Sequence, residues 1–148
     1  MKLSEYVIRK NGVPFGHPKS LRNNLTRSLG AKNFATFWTF WNPIFSYFIG
    51  TKVFRPLKII FPDAIALLMA FVFCGLIRDA VTTIARLKIS LFFSVWFFIM
   101  GSLVLITKLL NYDLSNQKWI VRALVNVGII ALCFFFTHQL NAVFGFYW

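Results

Sequence analysis

The chain has 148 residues, of which 58% are hydrophobic, 19% aromatic and only 14% charged. A soluble domain carries about 25% charged residues and, at this length, buries only about two-thirds of its surface, so nineteen Phe and five Trp exclude an ordinary soluble enzyme and point to a bilayer. Sixteen Lys and Arg against four acids (Glu5, Asp63, Asp79 and Asp113) give a net charge of +12; ten of the basic residues lie at or before Lys58 and none after Arg122, a gradient that suits an anionic membrane face.

Residues 1–32 read as a basic, polar arm on the cytoplasmic surface, punctuated by Asn11-Gly12, Pro14, Gly16 and Pro18. Turn formers break any long helix there, and Ser20 to Leu29 is expected to form a short amphipathic one with Arg22 and Arg27 outward. The arm shows no nucleic-acid module, with its glycines, aromatics or metal ligands, so no nucleic-acid partner is expected. Without an apolar core before Gly30, insertion is expected to be driven by internal segments.

Asn33 to Thr51 is a run of nineteen uncharged residues, eight of them aromatic. Its length suffices for a span of about 19 residues, but Trp and Tyr prefer the interface and Asn42-Pro43 removes a helical hydrogen bond midway. An interfacial or re-entrant helix pair fits better than a full span, and Lys52, Arg55, Pro56 and Lys58 mark a basic surface turn after it. The remainder, 59–148, reads as a transmembrane bundle with spans at about 59–77, 89–107 and 119–137. The expected fold is therefore all-α and polytopic, with three transmembrane helices, or four if 33–51 crosses. The positive-inside rule places the N-terminus in the cytoplasm.

Polar groups at membrane depth are the candidate functional residues, because they are expensive there. Ala66, Ala70 and Cys74 form a small-residue stripe suited to close helix packing. Gly101 shares a face with Ser94, and Asn126 is placed to hydrogen-bond across helices. Arg78 and Asp79 end the first apolar stretch, either to hold an acidic head group or to complement the helix terminus. His138 is the one histidine near a span, readable as a general base or as an interfacial residue closing a helix. Cys74 and Cys133 supply neither a metal spacing nor a disulfide framework, and no metal is expected.

The stretch Asn33-Phe34-Ala35-Thr36-Phe37-Trp38-Thr39-Phe40-Trp41-Asn42-Pro43, followed by Tyr47-Phe48 and Val53-Phe54-Arg55-Pro56-Leu57, resembles the membrane-bound O-acyltransferase family, whose members carry a phrase close to F-W-x-x-W-N or F-W-x-x-W-H before a basic-Pro turn. Phe71 to Asp79 looks like the family's next block, in which Gly-Leu and one further residue precede the catalytic His. Here that position is Arg78, which stays protonated and cannot act as a base. The resemblance covers about residues 20–90. It implies an acyl-donor tunnel lined by the re-entrant segment, with Trp38, Trp41, Asn42, Arg78 and Asp79 as tunnel or interface residues.

The family is also two to three times longer. The expectation is therefore a reduced, acyltransferase-like protein without the usual catalytic His, acting as a structural or interaction subunit. Copies of itself or other membrane proteins would meet the Ala66 stripe and the Gly101 face, and membrane lipids would surround it. Two alternatives stand beside it. One is an active acyltransferase using acyl-CoA or acyl-carrier protein, with His138 or a partner's residue replacing the missing base and Asn42 as a further candidate at the chemistry. The other is a small channel or transporter subunit, with Arg78, Lys108 and Asn126 facing a pore.

Overall fold

A computed structural model describes residues 1–146, all helix and connection among those residues; Tyr147 and Trp148, the end of the aromatic terminus, lie outside them. In chain order the helices are α1 (Leu3–Asn11), α2 (Ser20–Leu29), α3 (Phe34–Phe40), α4 (Pro43–Ile49), a π-helical turn (Gly50–Phe54), α5 (Arg55–Ile60), α6 (Asp63–Arg86), α7 (Phe92–Leu109) and α8 (Trp119–Phe144). Three of them, α6, α7 and α8, are long and apolar enough to cross a membrane.

The aromatic run divides into two seven-residue helices because two Asn side chains start them. Asn33 Oδ1 accepts from the Thr36 amide at 2.8 Å, and Asn42 Oδ1 accepts from the Phe45 amide at 3.2 Å. Asn42 holds a left-handed φ of 41°, a conformation Asn tolerates and larger residues resist, and Pro43 follows at the helix start, where its missing N–H costs nothing. Neither helix is long enough to span.

The structure shifts several of the expected boundaries. The basic stretch 52–58 is not a turn: it is helical through the π segment and α5, because Pro56 falls in the first turn of α5. The helix of the first expected span begins at Asp63 and runs to Arg86, since Pro62 closes the extended link before it and leaves Ile59 and Ile60 at the end of α5. The helix of the second begins at Phe92, the Ser90 hydroxyl being drawn to Asp79 and the Leu91 N–H to the Phe146 carbonyl at 3.1 Å, and that of the third continues to Phe144. The arm also holds α1, a helix its turn residues did not indicate, ended by Gly12 at a left-handed φ of 79°.

α6 and α7 form a tight antiparallel hairpin. A Cβ on Gly75 would stand 2.5 Å from Ser94 Cα and 2.6 Å from the Phe93 carbonyl oxygen, and one on Gly101 would stand 3.0 Å from Phe71. Backbone thus rests on backbone at Gly75, the close approach that small residues permit in membrane helices. The stripe Ala66, Ala70 and Cys74 is buried inside the same chain. This corrects the expectation that the stripe meets another copy or a partner. The outward face of α6 is Ile65, Met69, Phe73 and Leu76, all exposed, an apolar face of the kind lipid covers.

α8 joins through aromatic contacts, Phe134 standing 5.3 Å from Phe92 and 5.1 Å from Trp96 between ring centroids. The arm is tied to the α7–α8 end of the bundle. Asn126 Nδ2 donates to the Leu29 and Ala31 carbonyls at 3.0 Å each, Trp119 Nε1 donates to the Thr26 carbonyl at 2.9 Å, and Lys32 pairs with Asp113 at 2.8 Å. Lys32, and after it Ser115, hold the Asp113 carboxyl well below the usual carboxylate range. Because its folded-state value is depressed, the tie contributes fully above the ordinary carboxylate value and is lost only as pH falls through the lower one. The core under the arm gathers Phe34 and Phe37 of α3, Cys74 of α6, Met100 and Val104 of α7, and Cys133 of α8.

Gly75→Val is expected to cost about 1–3 kcal/mol, the usual range for overpacking, because the atoms it meets are backbone and cannot swing aside. Gly128→Ala, where a Cβ has nothing within 4 Å, is expected to be neutral or to gain up to about 1 kcal/mol from helix propensity. Thermal unfolding of both variants in one detergent checks the contrast.

Candidate functional site: an aromatic chamber beside a capped helix

Arg78 and Asp79 are neighbours in sequence but, on a helix, point about 100° apart. Asp79 turns into the α6–α7 junction and is 2% exposed. Its Oδ1 accepts from the Phe93 amide at 3.0 Å and the Ser90 hydroxyl at 3.3 Å, and its Oδ2 accepts from the Ser94 amide at 2.7 Å and the Ser94 hydroxyl at 2.6 Å. The first amides of a helix have no partner within it, and the residue preceding α7, Leu91, has no side chain able to cap it. Asp79 supplies the cap from the neighbouring helix, and its negative charge also complements the positive end of the α7 dipole.

Arg78 turns the other way, into a cavity of about 480 Å³ between α3–α4 and α6–α7. This is within the range of small-molecule sites, about 300–1,000 Å³. One wall is apolar, formed by Leu67, Ala70 and Phe71 of α6 with Phe97 and Val104 of α7. The facing edge is polar, formed by Asn33, Thr36 and Thr39 of α3 and Ser46 of α4; the α3 residues recur every three positions and so share one side of that helix. Trp38 closes the middle, its ring 5.3 Å from Phe71 and 5.9 Å from Phe97 between centroids. The Trp38 Nε1–H is buried with no hydrogen-bond partner among the described residues.

Three cations line this chamber, Lys10, Arg78 and Lys108, and no carboxylate or histidine does so among the described residues. The Arg78 guanidinium carbon lies 4.6 Å from the Phe97 ring centroid and 5.4 Å from that of Phe45, and Nη1 donates to the Cys74 carbonyl at 3.2 Å. The aromatic faces attract the cation through their quadrupoles without neutralising it. Lys10 Nζ lies 5.4 Å from the Phe40 ring and 5.8 Å from the Tyr6 ring; burial, and then the Arg9 charge, pull its pKa below the ordinary lysine value. Lys108 stands at the opposite end from Arg78. Gly75 packs at Ser94 and Gly101 at Phe71, so the helical rise places the two cations roughly 20 Å apart along the hairpin.

The sequence candidates are thus dispersed. Trp38, Trp41 and Arg78 meet at the chamber, Asp79 sits behind it, and Asn126 is taken up by the arm. Asn42 does not line the chamber: it is exposed, caps α4, and borders a second hollow between α1, α2 and the 41–44 turn, with His17 also at its edge. Asn42 thus stands apart from the chamber, its carboxamide oxygen engaged at the start of α4. His138 is exposed on α8 and outside the chamber, which separates it from Asn42 and Arg78. Sequence reading missed Lys10, Phe45, Phe97 and the Asn33-Thr36-Thr39 edge. The last had a legible signal, three small polar residues at helical spacing inside an aromatic run.

Searches of protein-family models, of curated proteins and of solved structures give no match to this chain.

Asp79→Ala removes the acceptor of two buried amides and two hydroxyls and is expected to cost at least about 2 kcal/mol, since one unsatisfied buried donor alone costs about 1–3. Asp79→Asn, which keeps one acceptor oxygen, is expected to cost less. Unfolding of both variants by SDS titration in mixed micelles, read by loss of helical signal, checks the order.

Proposed function

We propose that this protein is a non-catalytic membrane subunit that holds the chain of a lipid in the chamber between α3–α4 and α6–α7, on a scaffold resembling a reduced membrane-bound O-acyltransferase. The observation that carries this reading is the chamber itself, long, with one apolar wall and one polar edge, matching an amphiphile lying along the hairpin. Acyl transfer to a hydroxyl needs a base within hydrogen-bond reach of the acceptor. Arg78 occupies the position at which the resembled family places its His, and His138 is on a different surface. These placements favour binding over transfer. The excess of basic residues in the first 58 positions favours an N-terminus on the cytoplasmic side.

Purified in mild detergent, the protein is expected to carry a lipid, detected by native mass spectrometry, and Leu67→Trp, which fills the apolar wall, is expected to lose it while keeping its helical content. Protein free of lipid, or a Leu67→Trp variant that still holds it, would contradict the binding role. Turnover of acyl-CoA or acyl-carrier protein that stops in His138→Ala would establish the enzyme instead. For orientation, Ser4→Cys is expected to resist an impermeant maleimide in intact cells and to react after lysis; labelling in intact cells would reverse the assignment.

A further inference from the structure

Resting on the lipid-binding reading, we propose that the chamber selects an anionic phosphate head group, with Arg78 as its anchor and the lipid chain on the apolar wall. Arg78 is the one cation in the chamber carried by the α6–α7 hairpin at the Asp79 end, and its position is fixed from three directions: the rings of Phe97 and Phe45 and the Cys74 carbonyl. Those contacts hold the guanidinium in place without supplying a negative charge. The nearest acid in sequence, Asp79, spends both oxygens on the start of α7, and the chamber lining holds no carboxylate among the described residues. A guanidinium has five N–H donors in a fixed fork, and among the described residues only Nη1 is engaged with protein oxygen. The remaining donors match the oxygens of a phosphate, which Arg recognises in bidentate fashion.

The partners around it fit the same ligand. The Thr36 hydroxyl and the unpartnered Trp38 Nε1–H are donors for oxygen atoms of the head group, the Thr39 and Ser46 hydroxyls being spent on the Thr36 and Trp41 carbonyls, and Lys10 adds positive charge to the lining. Binding of an anion also favours the charged form of Lys10, whose pKa burial depresses.

The test uses the full chain in nanodiscs of neutral lipid doped with phosphatidylglycerol or phosphatidylcholine, with retained lipid counted by native mass spectrometry. Glycerol phosphate and inorganic phosphate serve as soluble competitors. Wild type is expected to retain phosphatidylglycerol in preference to phosphatidylcholine by about tenfold or more, the order expected for a charge-assisted hydrogen bond. Arg78→Gln is expected to bring the two lipids near parity, and Arg78→Lys to keep part of the preference. An equal preference in wild type and Arg78→Gln would overturn the assignment of Arg78, and displacement by soluble phosphate at concentrations similar to those of the lipid would show a free-anion site instead. Retention of lipid without any charge preference would overturn this inference and leave the lipid-binding role intact. No retained lipid at all would overturn both. The thermal midpoint of Arg78→Gln, expected to stay near wild type, separates loss of the anchor from loss of the fold.

Discussion

Asp79 at the start of α7 is the constraint on which the rest of the molecule depends. A carboxylate inside an apolar bundle is costly unless each oxygen is satisfied, and here four donors from Ser90, Phe93 and Ser94 satisfy it. The same four contacts fix the register of the hairpin. With Asp79 on the first turn of α7, Gly75, one helical turn earlier, meets the Ser94 backbone, and that fit has no room for a side chain. Shifting α7 by one residue would leave the amides unmet and put a larger surface opposite Gly75.

That register also determines where Arg78 goes. Because Asp79 commits one side of α6 to α7, Arg78 must leave the helix toward α3 and α4, where Phe45 and Phe97 receive it. The aromatic segment reaches this place through the break at Asn42-Pro43, which turns α4 toward the hairpin instead of prolonging α3. The anchoring of the arm by Asn126, Trp119 and Asp113 holds the other end. The chamber is the space left between two rigid units, the capped hairpin and the capped aromatic pair. Its polar edge comes from the aromatic pair, and its cations from the hairpin and from α1.

The fold class was legible because it rests on composition and on uncharged runs of helical length. The break in the aromatic segment was legible too, since Asn-Pro carries its own backbone chemistry. Boundaries shifted where a side chain competed locally: Pro62 delayed α6, and Ser90, drawn to Asp79, delayed α7. The roles of adjacent residues were harder to read, since Arg78-Asp79 looks like an ordinary charged helix end until the tertiary contacts divide the pair. The Ala66 stripe illustrates the same limit. Its spacing announced close packing, while the identity of the packed partner, within the chain, depends on the hairpin that Asp79 sets. Lys10 was invisible as a chamber residue because nothing local in α1 foretells its approach to Phe40.

The most direct test of this account is amide hydrogen exchange at Phe93 and Ser94, measured in micelles. Opening residues of a helix ordinarily exchange quickly, having no intrahelical acceptor. The Asp79 cap predicts that these two amides exchange among the slowest in α7, far behind those of Trp119 and Ile120, which open α8 without a side-chain cap. Exchange as fast as at the start of α8 would mean that Asp79 does not hold the hairpin, and the registered chamber would go with it.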